Sequence, residues 1–285
     1  MKHILIINAS RNFTKRMVRE FDAANVTSER IRSRDSIFII SEPNSIDLFC
    51  QNKKIDLENT SVFLRLRGHD SHFASLIAKV CLHKGIPIND LVSAEHTSSN
   101  EKVSQTVLLA LEGIPTPKSI LCTDESFIKN QETILSSMPF PCVLKADGSR
   151  GQRVWQIRSL ELLNKLLFKY NELFVLQEYI PNTFDIRALV YKNEVLGAIK
   201  RSSTDNFYNN VAKGGTVSDI ELTDEEKELA IASCKACSID FGGVDIVRSE
   251  RGPLVLEVNH GPQIGGFEKH TGMNIPATIA SRMIE

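Results

Sequence analysis

The sequence lacks a surplus of either charge. Its 285 residues carry 34 Lys and Arg against 35 Asp and Glu, which gives a formal net charge of -1. No global basic field exists to attract nucleic acid, and no polybasic tract marks a membrane surface. We therefore expect neither nucleic acid nor membrane as a partner, and an anionic ligand must be bound by cations placed locally.

Long apolar runs and paired cysteine motifs are also lacking. No apolar run reaches the eighteen or so residues that cross a bilayer, and the run Ile4–Ile7 is too short for a signal peptide and fits a buried strand. Six cysteines are scattered along the chain. The one CxxC pair, Cys234 and Cys237, lacks the second pair of a zinc site and fits helix packing. Reduced thiols predict a cytoplasmic location.

Repeats, low-complexity linkers, a P-loop and a dinucleotide-binding fingerprint are all missing from the sequence. The length suits two or three compact lobes, and 42% hydrophobic and 24% charged residues are ordinary globular values. We predict three domains, which are residues 1–93, 94–185 and 186–285.

The pattern of elements predicts α/β and α+β layers. In the first domain, apolar runs at 4–7, 37–40, 61–66 and 86–89 predict strands, and helical spacing over 71–83 ends at Gly85. Strands that alternate with helices indicate a parallel α/β lobe. Downstream we predict helices over 100–112, 160–167 and 223–238. We predict strands over 142–146 and 173–178, and strand pairs at 186–190 with 194–199 and 243–247 with 254–259.

The last hairpin carries a candidate metal site. Glu257 and Asn259 are two apart on a strand and so share a face. A three-residue loop would pair Ser249 with Pro253 and Val247 with Val255, and it would place Asp245 opposite Glu257. Cβ atoms of opposed residues lie about 4.5–5.5 Å apart. Carboxylate and amide oxygens that converge in this way suit Mg²⁺, whereas a solvated outer sheet face is the alternative.

A second constellation suits phosphate. Lys145 lies near the end of an apolar strand, and the following loop contains Gly148, Ser149 and Gly151. Small loop residues let backbone N–H groups approach phosphates, and the lysine supplies a point charge. An ordinary turn is the alternative. Lys102 lies early in the preceding helix. By itself it fits a surface lysine, and only in combination with these residues does it become a candidate for phosphate binding.

In combination, these residues resemble the RimK-type branch of the ATP-grasp superfamily. The resemblance runs from about residue 95 to the end. It rests on Glu101-Lys102, Leu108–Pro117, Val143–Lys145, Gln177–Ile180, Asp185–Arg187, Phe207–Asn210, Lys213–Gly215, Gly243–Ile246, Gly252–Asn259 and Gly266–Gly272. It implies an ATP-grasp fold that follows an N-terminal parallel α/β pre-grasp lobe.

The resemblance also implies a role for each matching residue. Lys102 and Lys145 would bind ATP phosphates, together with the loop residues Gly148, Ser149 and Gly151. Glu178, Tyr179 and Ile180 would bind adenine, and Asp185 would contact the ribose or another part of the nucleotide. Arg201 and Lys213 would act in catalysis, and Asn210 would contact the phosphates. The metal ligands would be Asp245, Glu257 and Asn259. Arg187 and Tyr208 would contact the substrate.

The activity that the resemblance implies is ligation of a carboxylate to an amine. Mg·ATP, with two Mg²⁺ or with Mn²⁺, would activate the carboxylate as an acyl phosphate, and a glutamate-like amino acid would be joined to a protein, peptide or small molecule. Family members often form homo-oligomers, but no motif shows an interface here. The alternatives are a ligase that cross-links side chains within a peptide and a nucleotide-binding module without turnover.

Departures from the family pattern fall on the substrate side. Arg153 stands where a lid glycine is usual, Tyr208 where glutamate-adding enzymes tend to have arginine, and Ala212 beside Lys213 where a polar residue is usual. His260 begins a changed turn after the last metal ligand, and it could contact substrate or have no role. In the first domain, Arg65 and Arg67 share a strand face that could meet a substrate carboxylate or simply be solvated.

Overall fold

The structure, a computed structural model of the chain, describes residues 3–42, 45–65, 71–89, 102–146, 153–170, 173–202 and 216–285. The chain divides into two compact units. The first unit is Met1–Thr97, Ser238–Gly242 and His260–Glu285, and the second unit is Ser98–Cys237 and Gly243–Asn259. The predicted division into three domains stays a prediction. Among the described residues, no helix combines the length and apolar character needed to span a membrane.

The first unit contains a parallel sheet of three strands in the order β2-β1-β6. The strands are β1 (His3–Ile7), β2 (Thr27–Ile31) and β6 (Thr60–Leu64), and the helices are α1 (Arg11–Ala23), α2 (Ser71–His83), α8 (Gly265–Thr271) and α9 (Ile275–Ile284). β1 pairs in parallel with both neighbours, and Ile4–Ile7 is fully buried, as a central strand covered on both faces requires. The predicted strand at the start of the chain and the predicted parallel lobe are confirmed.

A second, antiparallel sheet in this unit corrects one expectation. It consists of β3 (Ser36–Glu42), β4 (Ser45–Cys50) and β5 (Lys53–Ile55) in that order. The apolar run at 37–40 was expected in the parallel layer, but it forms β3 and pairs only with β4 among the described residues. Only two residues separate β3 from β4 in the sequence, and short connections of this kind join antiparallel pairs. The run at 86–89 makes a single bridge, between Val62 and Ile88.

The central part of the second unit is an antiparallel sheet of four strands in the order β7-β10-β8-β9. The strands are β7 (Ser119–Cys122), β8 (Cys142–Ala146), β9 (Val154–Ile157) and β10 (Phe174–Glu178), and the helices are α3 (Lys102–Leu111), α4 (Asp124–Lys129), α5 (Gln131–Ser137) and α6 (Leu160–Tyr170). Apolar residues of the sheet and helices, such as Leu144, Leu176 and Leu163, form one core. Gly113 ends α3 at φ +68°, as predicted, and the cap proposed at Asn100 lies outside the described residues.

The rest of the second unit is a sheet of five strands in the order β13-β12-β11-β14-β15. The elements are β11 (Phe184–Tyr191), β12 (Glu194–Ser202), β13 (Thr216–Asp219), β14 (Phe241–Ser249), β15 (Gly252–Asn259) and the helix α7 (Asp224–Ala236). The first two residues of β14 are assigned to the first unit. The predicted capping box starts α7, because Thr223 Oγ1 accepts from Glu226 N while Glu226 accepts from Thr223 N. Cys234 and Cys237 are buried thiols outside any disulfide, which fits their predicted packing role.

Candidate active site

The β14–β15 hairpin brings together the three predicted metal ligands. Asp245 pairs directly with Glu257, as predicted, and Gly243 pairs with Asn259. Glu257 and Asn259 are two apart on β15, so their side chains leave the same face of the sheet as Asp245. Asn259 Nδ2 donates to Gly243 O at 3.4 Å, so the amide oxygen is the end of this side chain that can bind a cation.

The predicted register of this hairpin was wrong nearer the turn, by one residue. The observed pairs are Ser249 with Gly252 and Val247 with Leu254, instead of Ser249 with Pro253 and Val247 with Val255. Gly252, at φ +98°, allows a two-residue loop. A bulge beside Asp245 then inserts one extra residue on β15, which restores the predicted partner Glu257.

Two arginines bind Asp245, one on the adjacent strand β11 and one on β12, the next strand of the sheet. Arg187 Nη2 donates to Asp245 Oδ2 at 2.7 Å, and its Nε donates to Oδ1. Arg201 Nη2 lies 3.0 Å from Asp245 Oδ2, and its Nε donates to Asp185 Oδ1 at 2.6 Å. Asp185 and Arg201 are direct cross-strand partners on β11 and β12. Two guanidinium groups and two carboxylates thus form one buried network on this face.

Burial and charge pairing shift the pKa values of the network in opposite directions. Burial raises the pKa of Asp185, and the lowering effect of Arg201 only partly offsets it. Burial would also raise the pKa of Asp245, but Arg187 and Arg201 hold it well below its usual range. The pKa of Arg201 is raised by the two aspartates in spite of burial. Asp245 therefore stays ionised, which a metal ligand requires.

The two predicted phosphate-binding lysines contact the metal-ligand strand. Lys102 Nζ donates to Glu257 Oε1 at 3.0 Å, and Lys145 Nζ donates to Leu256 O at 3.1 Å. Burial and the nearby charge of Lys102 lower the pKa of Lys145 to about 8, although Glu257 and Asp245 act to raise it. An anionic phosphate close to Lys145 would favour its charged form.

A glutamine that the sequence analysis did not single out also contacts this strand. Gln105 Nε2 donates to Val258 O at 2.7 Å, and Val258 N donates to Gln105 Oε1 at 3.3 Å. Val255 N donates to Pro115 O at 2.8 Å. The only signal in the sequence is the spacing of three residues from Lys102, which puts both side chains on one face of α3.

The predicted adenine-binding segment lies at the end of β10. Glu178 accepts from Lys118 N at 2.7 Å and from Arg251 Nη2, and its own N–H donates to Lys118 O at 2.9 Å. These bonds lower the pKa of Glu178 in spite of its partial burial. Tyr179 and Ile180 follow, partly exposed. The segment is therefore anchored on its Glu178 side.

Two predicted substrate residues belong to the first unit. Arg65 is 1% exposed, with its guanidinium 4.6 Å from the ring centre of Phe13 and 5.3 Å from that of Phe241, and its Nη2 donates to Pro262 O at 3.0 Å. Arg65 is therefore packed in the core of this unit. His260, partly exposed, begins the last segment of the unit.

Several predicted site residues lie outside the described residues. They are Gly148, Ser149 and Gly151 of the phosphate loop, and Tyr208, Asn210 and Lys213. Arg67 and Ala212 also lie there, whereas Arg153 immediately precedes β9. The roles assigned to these residues stay predictions.

The donor set fits Mg²⁺. Within the described ranges, no group of three His, Cys, Asp or Glu side chains could hold a metal. Asp245, Glu257 and Asn259 instead offer two carboxylates and an amide, an all-oxygen set that leaves room for phosphate oxygens. The Asp245 carboxylate also accepts hydrogen bonds from two guanidinium groups. A metal ion bound there must share the carboxylate with the arginines or displace them.

The charges around this donor set favour an anion. Three carboxylates, Asp185, Asp245 and Glu257, are accompanied by four cations, which are Lys102, Lys145, Arg187 and Arg201. With all groups ionised, the cluster carries one excess positive charge. A nucleotide phosphate that arrives with its own metal ion is thus electrostatically matched to this face.

Comparison with protein families gives a match over most of the chain. Residues 99–283 match the model of the RimK-like ATP-grasp domain. A probable alpha-L-glutamate ligase of Citrobacter koseri is 33% identical over 205 residues, which are 70% of this chain and 66% of that protein. A ribosomal protein bS6–L-glutamate ligase of Salmonella paratyphi B is 32% identical with the same coverage. The match spans slightly less than two thirds of the length of these relatives.

Solved structures match over nearly the whole chain. The ATP-grasp ligase PsnB, complexed with a minimal precursor, Mg and ADP, has a TM-score of 0.72 at 18% identity and covers 99% of this chain and 96% of its own. Macrocyclase MdnB from Microcystis aeruginosa has a TM-score of 0.69 at 17% identity, with coverages of 100% and 99%. At these identities the likeness establishes a shared fold.

Proposed function

This chain belongs to the RimK-like ATP-grasp family, and on that premise we propose that it is an ATP-dependent ligase that joins a carboxylate to an amine through an acyl phosphate. The observation that supports the proposal most strongly is that the candidate ligands and cations converge on one face of the five-stranded sheet. On it, Asp245, Glu257 and Asn259 lie beside the buried Arg201 and the partly buried Arg187. Oxygen donors with adjacent fixed cations are what transfer of a phosphoryl group to a carboxylate requires.

ATP would be bound mainly by residues of the second unit. Lys102 and Lys145 would contact its phosphates, since both ammonium groups already lie against β15. The loop with Gly148, Ser149 and Gly151 would close over the phosphates, and Asn210 would add a polar contact. The end of β10 from Glu178 to Ile180 would hold adenine. A ribose contact by Asp185 would compete with its bond to Arg201.

Asp245, Glu257 and Asn259 would hold Mg²⁺, in one or two ions, and the same oxygen donors would accept Mn²⁺. When bound, the metal would neutralise charge on the transferred phosphate and on the leaving ADP. Because Asp245 already accepts from Arg187 and Arg201, its carboxylate is held in one orientation before any ligand arrives.

The arginines would act on the substrates. A carboxylate oxygen attacks the γ-phosphorus, the bond to the β-phosphate oxygen breaks, and ADP leaves. An amine then attacks the acyl carbon, loses a proton and expels phosphate, so that an amide remains. Arg201, with Lys213, would stabilise the oxyanion of this second step, and Arg187 would orient the attacking carboxylate. The loop before Arg153 would exclude water, which would otherwise hydrolyse the acyl phosphate.

The substrate pair we propose is an amino acid such as glutamate and a carboxylate on a protein, a peptide or a small molecule. Support comes from the relatives named as glutamate ligases. Tyr208 and His260, which depart from the family pattern, would alter the acceptor side. The second candidate, a ligase that cross-links a peptide, is favoured by the shared fold with MdnB, a macrocyclase, over its full length.

Trapping of the activated carboxylate tests the reaction type. With Mg·ATP, a carboxylate substrate and hydroxylamine in place of the amine, the proposal predicts a hydroxamate. ¹⁸O in the carboxylate should appear in the phosphate released. Mass spectrometry of the true product separates the two candidates, because addition gains an amino-acid residue and cross-linking loses one water. ATP hydrolysis without hydroxamate from any carboxylate tested would contradict an acyl phosphate. ATP binding without any hydrolysis would favour a nucleotide-binding module without turnover.

A further inference from the structure

One buried side chain holds the main chain between two candidate metal ligands. Gln105 on α3 is 5% exposed. Its Nε2 donates to Val258 O at 2.7 Å, and Val258 N donates to its Oε1 at 3.3 Å. A single side-chain amide therefore satisfies both backbone groups of a residue 153 positions away in the sequence.

The position of Val258 in the sheet explains why both of its groups are available. β15 is an edge strand, and Val258 pairs with Val244 on β14. In an antiparallel strand, the N–H and C=O of one residue point to the same side. Those of Val258 are bound by Gln105, so the glutamine amide takes the place that a further strand would occupy.

Two bonds to one residue restrain more than a single bond does. Val258 lies between Glu257 and Asn259, and fixing both of its backbone groups fixes the peptide planes on either side. The rotation of the strand about its own axis is thereby fixed, and with it the directions of the two flanking side chains. A single hydrogen bond from Gln105 would restrain only one of these peptide planes on the side of β15 that faces away from β14.

We propose that Gln105 is a positioning residue, which sets the directions of Glu257 and Asn259 for a bound metal ion. The assignment rests on the proposed function, in which these two side chains are metal ligands. Lys102, one turn earlier on the same face of α3, donates to Glu257 Oε1 at 3.0 Å. Helix α3 thus fixes both the backbone and one carboxylate of the metal-ligand strand.

Only an amide of this length meets both demands. Methionine has nearly the same length and can be buried in the same place, but it forms a hydrogen bond with neither the N–H nor the C=O of Val258. Glutamate can accept from Val258 N but, when ionised, cannot donate to Val258 O. Gln105→Met should therefore lose both restraints and Gln105→Glu one of them. Partners that orient metal ligands affect metal affinity by about 10–100-fold when they are removed.

Binding of a non-hydrolysable ATP analogue, measured by calorimetry in Mg²⁺ and in EDTA, tests this role. The affinity in Mg²⁺ divided by the affinity in EDTA is the metal-dependent gain in affinity for the analogue. Gln105→Met should reduce this gain by about tenfold or more, Gln105→Glu should reduce it less, and the affinity in EDTA should change less than twofold. The matched control is Gln177→Met. Gln177 is 4% exposed on β10, and its Nε2 donates to Ser119 Oγ at 3.0 Å. This variant should keep the full gain.

Each contrary outcome identifies what has failed. A normal gain in wild type that is unchanged in both Gln105 variants would overturn the positioning role alone, and so would an equal loss in Gln177→Met. If Gln105→Met does not fold, the Gln105→Glu result decides by itself. A wild-type protein whose nucleotide affinity is the same in Mg²⁺ and in EDTA would overturn the proposed function, and with it the role of Gln105.

Discussion

Arg201 is the residue at which the buried charges of the candidate site meet. Its guanidinium contacts Asp185 through Nε and Asp245 through Nη2, and its side chain is only 6% exposed. Arginine presents several N–H donors in a fixed plane, so it can join two carboxylates that lysine could serve only as a point charge. The orientation of Asp245 consequently depends on the identity of this cation.

We predict that Arg201→Lys keeps the charge but lowers turnover by about 100-fold or more, because the oxyanion contact and the orientation of Asp245 are lost together. Steady-state rates of ADP release measure this effect. Arg282→Lys, at an exposed pair with Glu285, is the matched control and should keep the wild-type rate. Equal rates for all three proteins would remove Arg201 from the mechanism.

At the residue scale, the sequence predicted those parts of the site that depend on local alternation. Glu257 and Asn259 share a face because they are two apart on a strand, and Asp245 faces Glu257 across a hairpin. The binding of Asp245 by Arg187 and Arg201 joins separate strands, and no spacing in the sequence encodes it. Gln105 was missed for the same reason.

At the scale of elements, the β14–β15 hairpin owes its register to two compensating irregularities. Gly252 adopts φ +98° and permits the short loop, and the bulge beside Asp245 restores the pairing with Glu257. Turn length could not be derived from the pattern of apolar residues, because a glycine permits several turns of different length. The short loop explains why the predicted pairs near the turn were wrong by one residue, and the bulge explains why the predicted pairing of Asp245 with Glu257 was correct.

Gly252→Ala should destabilise the protein by about 1–2 kcal/mol, because a side chain disfavours this backbone conformation. Added bulk is not the cause, since the nearest atom to a new Cβ is Glu225 Oε1 at 4.0 Å. Urea denaturation measures the loss. Gly265→Ala, which places Cβ in open space at the start of α8, serves as the control and should be neutral or stabilising. A neutral Gly252→Ala would show that the turn tolerates another conformation.

The start of α7 should make stability depend on pH. Glu226, 2% exposed, accepts from Arg248 Nε at 2.6 Å and from Thr223 N at 3.0 Å. These bonds hold its pKa below the usual range despite burial. A carboxyl group with a lowered pKa contributes stability above its unfolded pKa, and this contribution is lost as the pH falls through the folded pKa.

Glu226→Gln should therefore cost about 1–3 kcal/mol near pH 7, and the difference from wild type should shrink below about pH 4. Chemical denaturation at a series of pH values measures it. Glu225→Gln, at the neighbouring exposed position, should change stability by less than about 1 kcal/mol at any pH. A cost for Glu226→Gln that does not vary with pH would exclude the charge of Glu226 as its cause.

At the scale of the whole molecule, the described residues that form the candidate nucleotide and metal site belong to the second unit. The sequence predicted an α/β first lobe and the downstream sheets, since buried runs and helix caps are local signals. It did not separate the antiparallel sheet β3-β4-β5 from the parallel one, because apolar runs do not specify which strand will be the neighbour.

Ligand binding should thus stabilise the second unit in particular. With Mg²⁺ and an ATP analogue at about 100 times its dissociation constant, the free energy of unfolding of that unit should rise by about 2.7 kcal/mol. Hydrogen exchange, which resolves the two units, is the measurement, and the same analogue in EDTA is the control. Protection that is confined to the first unit would contradict the location of the site.

ATP-dependent ligation at this face of the five-stranded sheet should appear as ADP release by the pure protein with Mg·ATP. The assay pairs a panel of amino acids with protein, peptide and small-molecule carboxylates, and Glu257→Gln is run beside wild type. We predict ADP release that requires both an amine and a carboxylate and that falls by at least about 100-fold in the variant. ADP release that Glu257→Gln leaves unchanged would contradict ligation at this site. So would the absence of ADP release with every pair from a protein that binds ATP tightly.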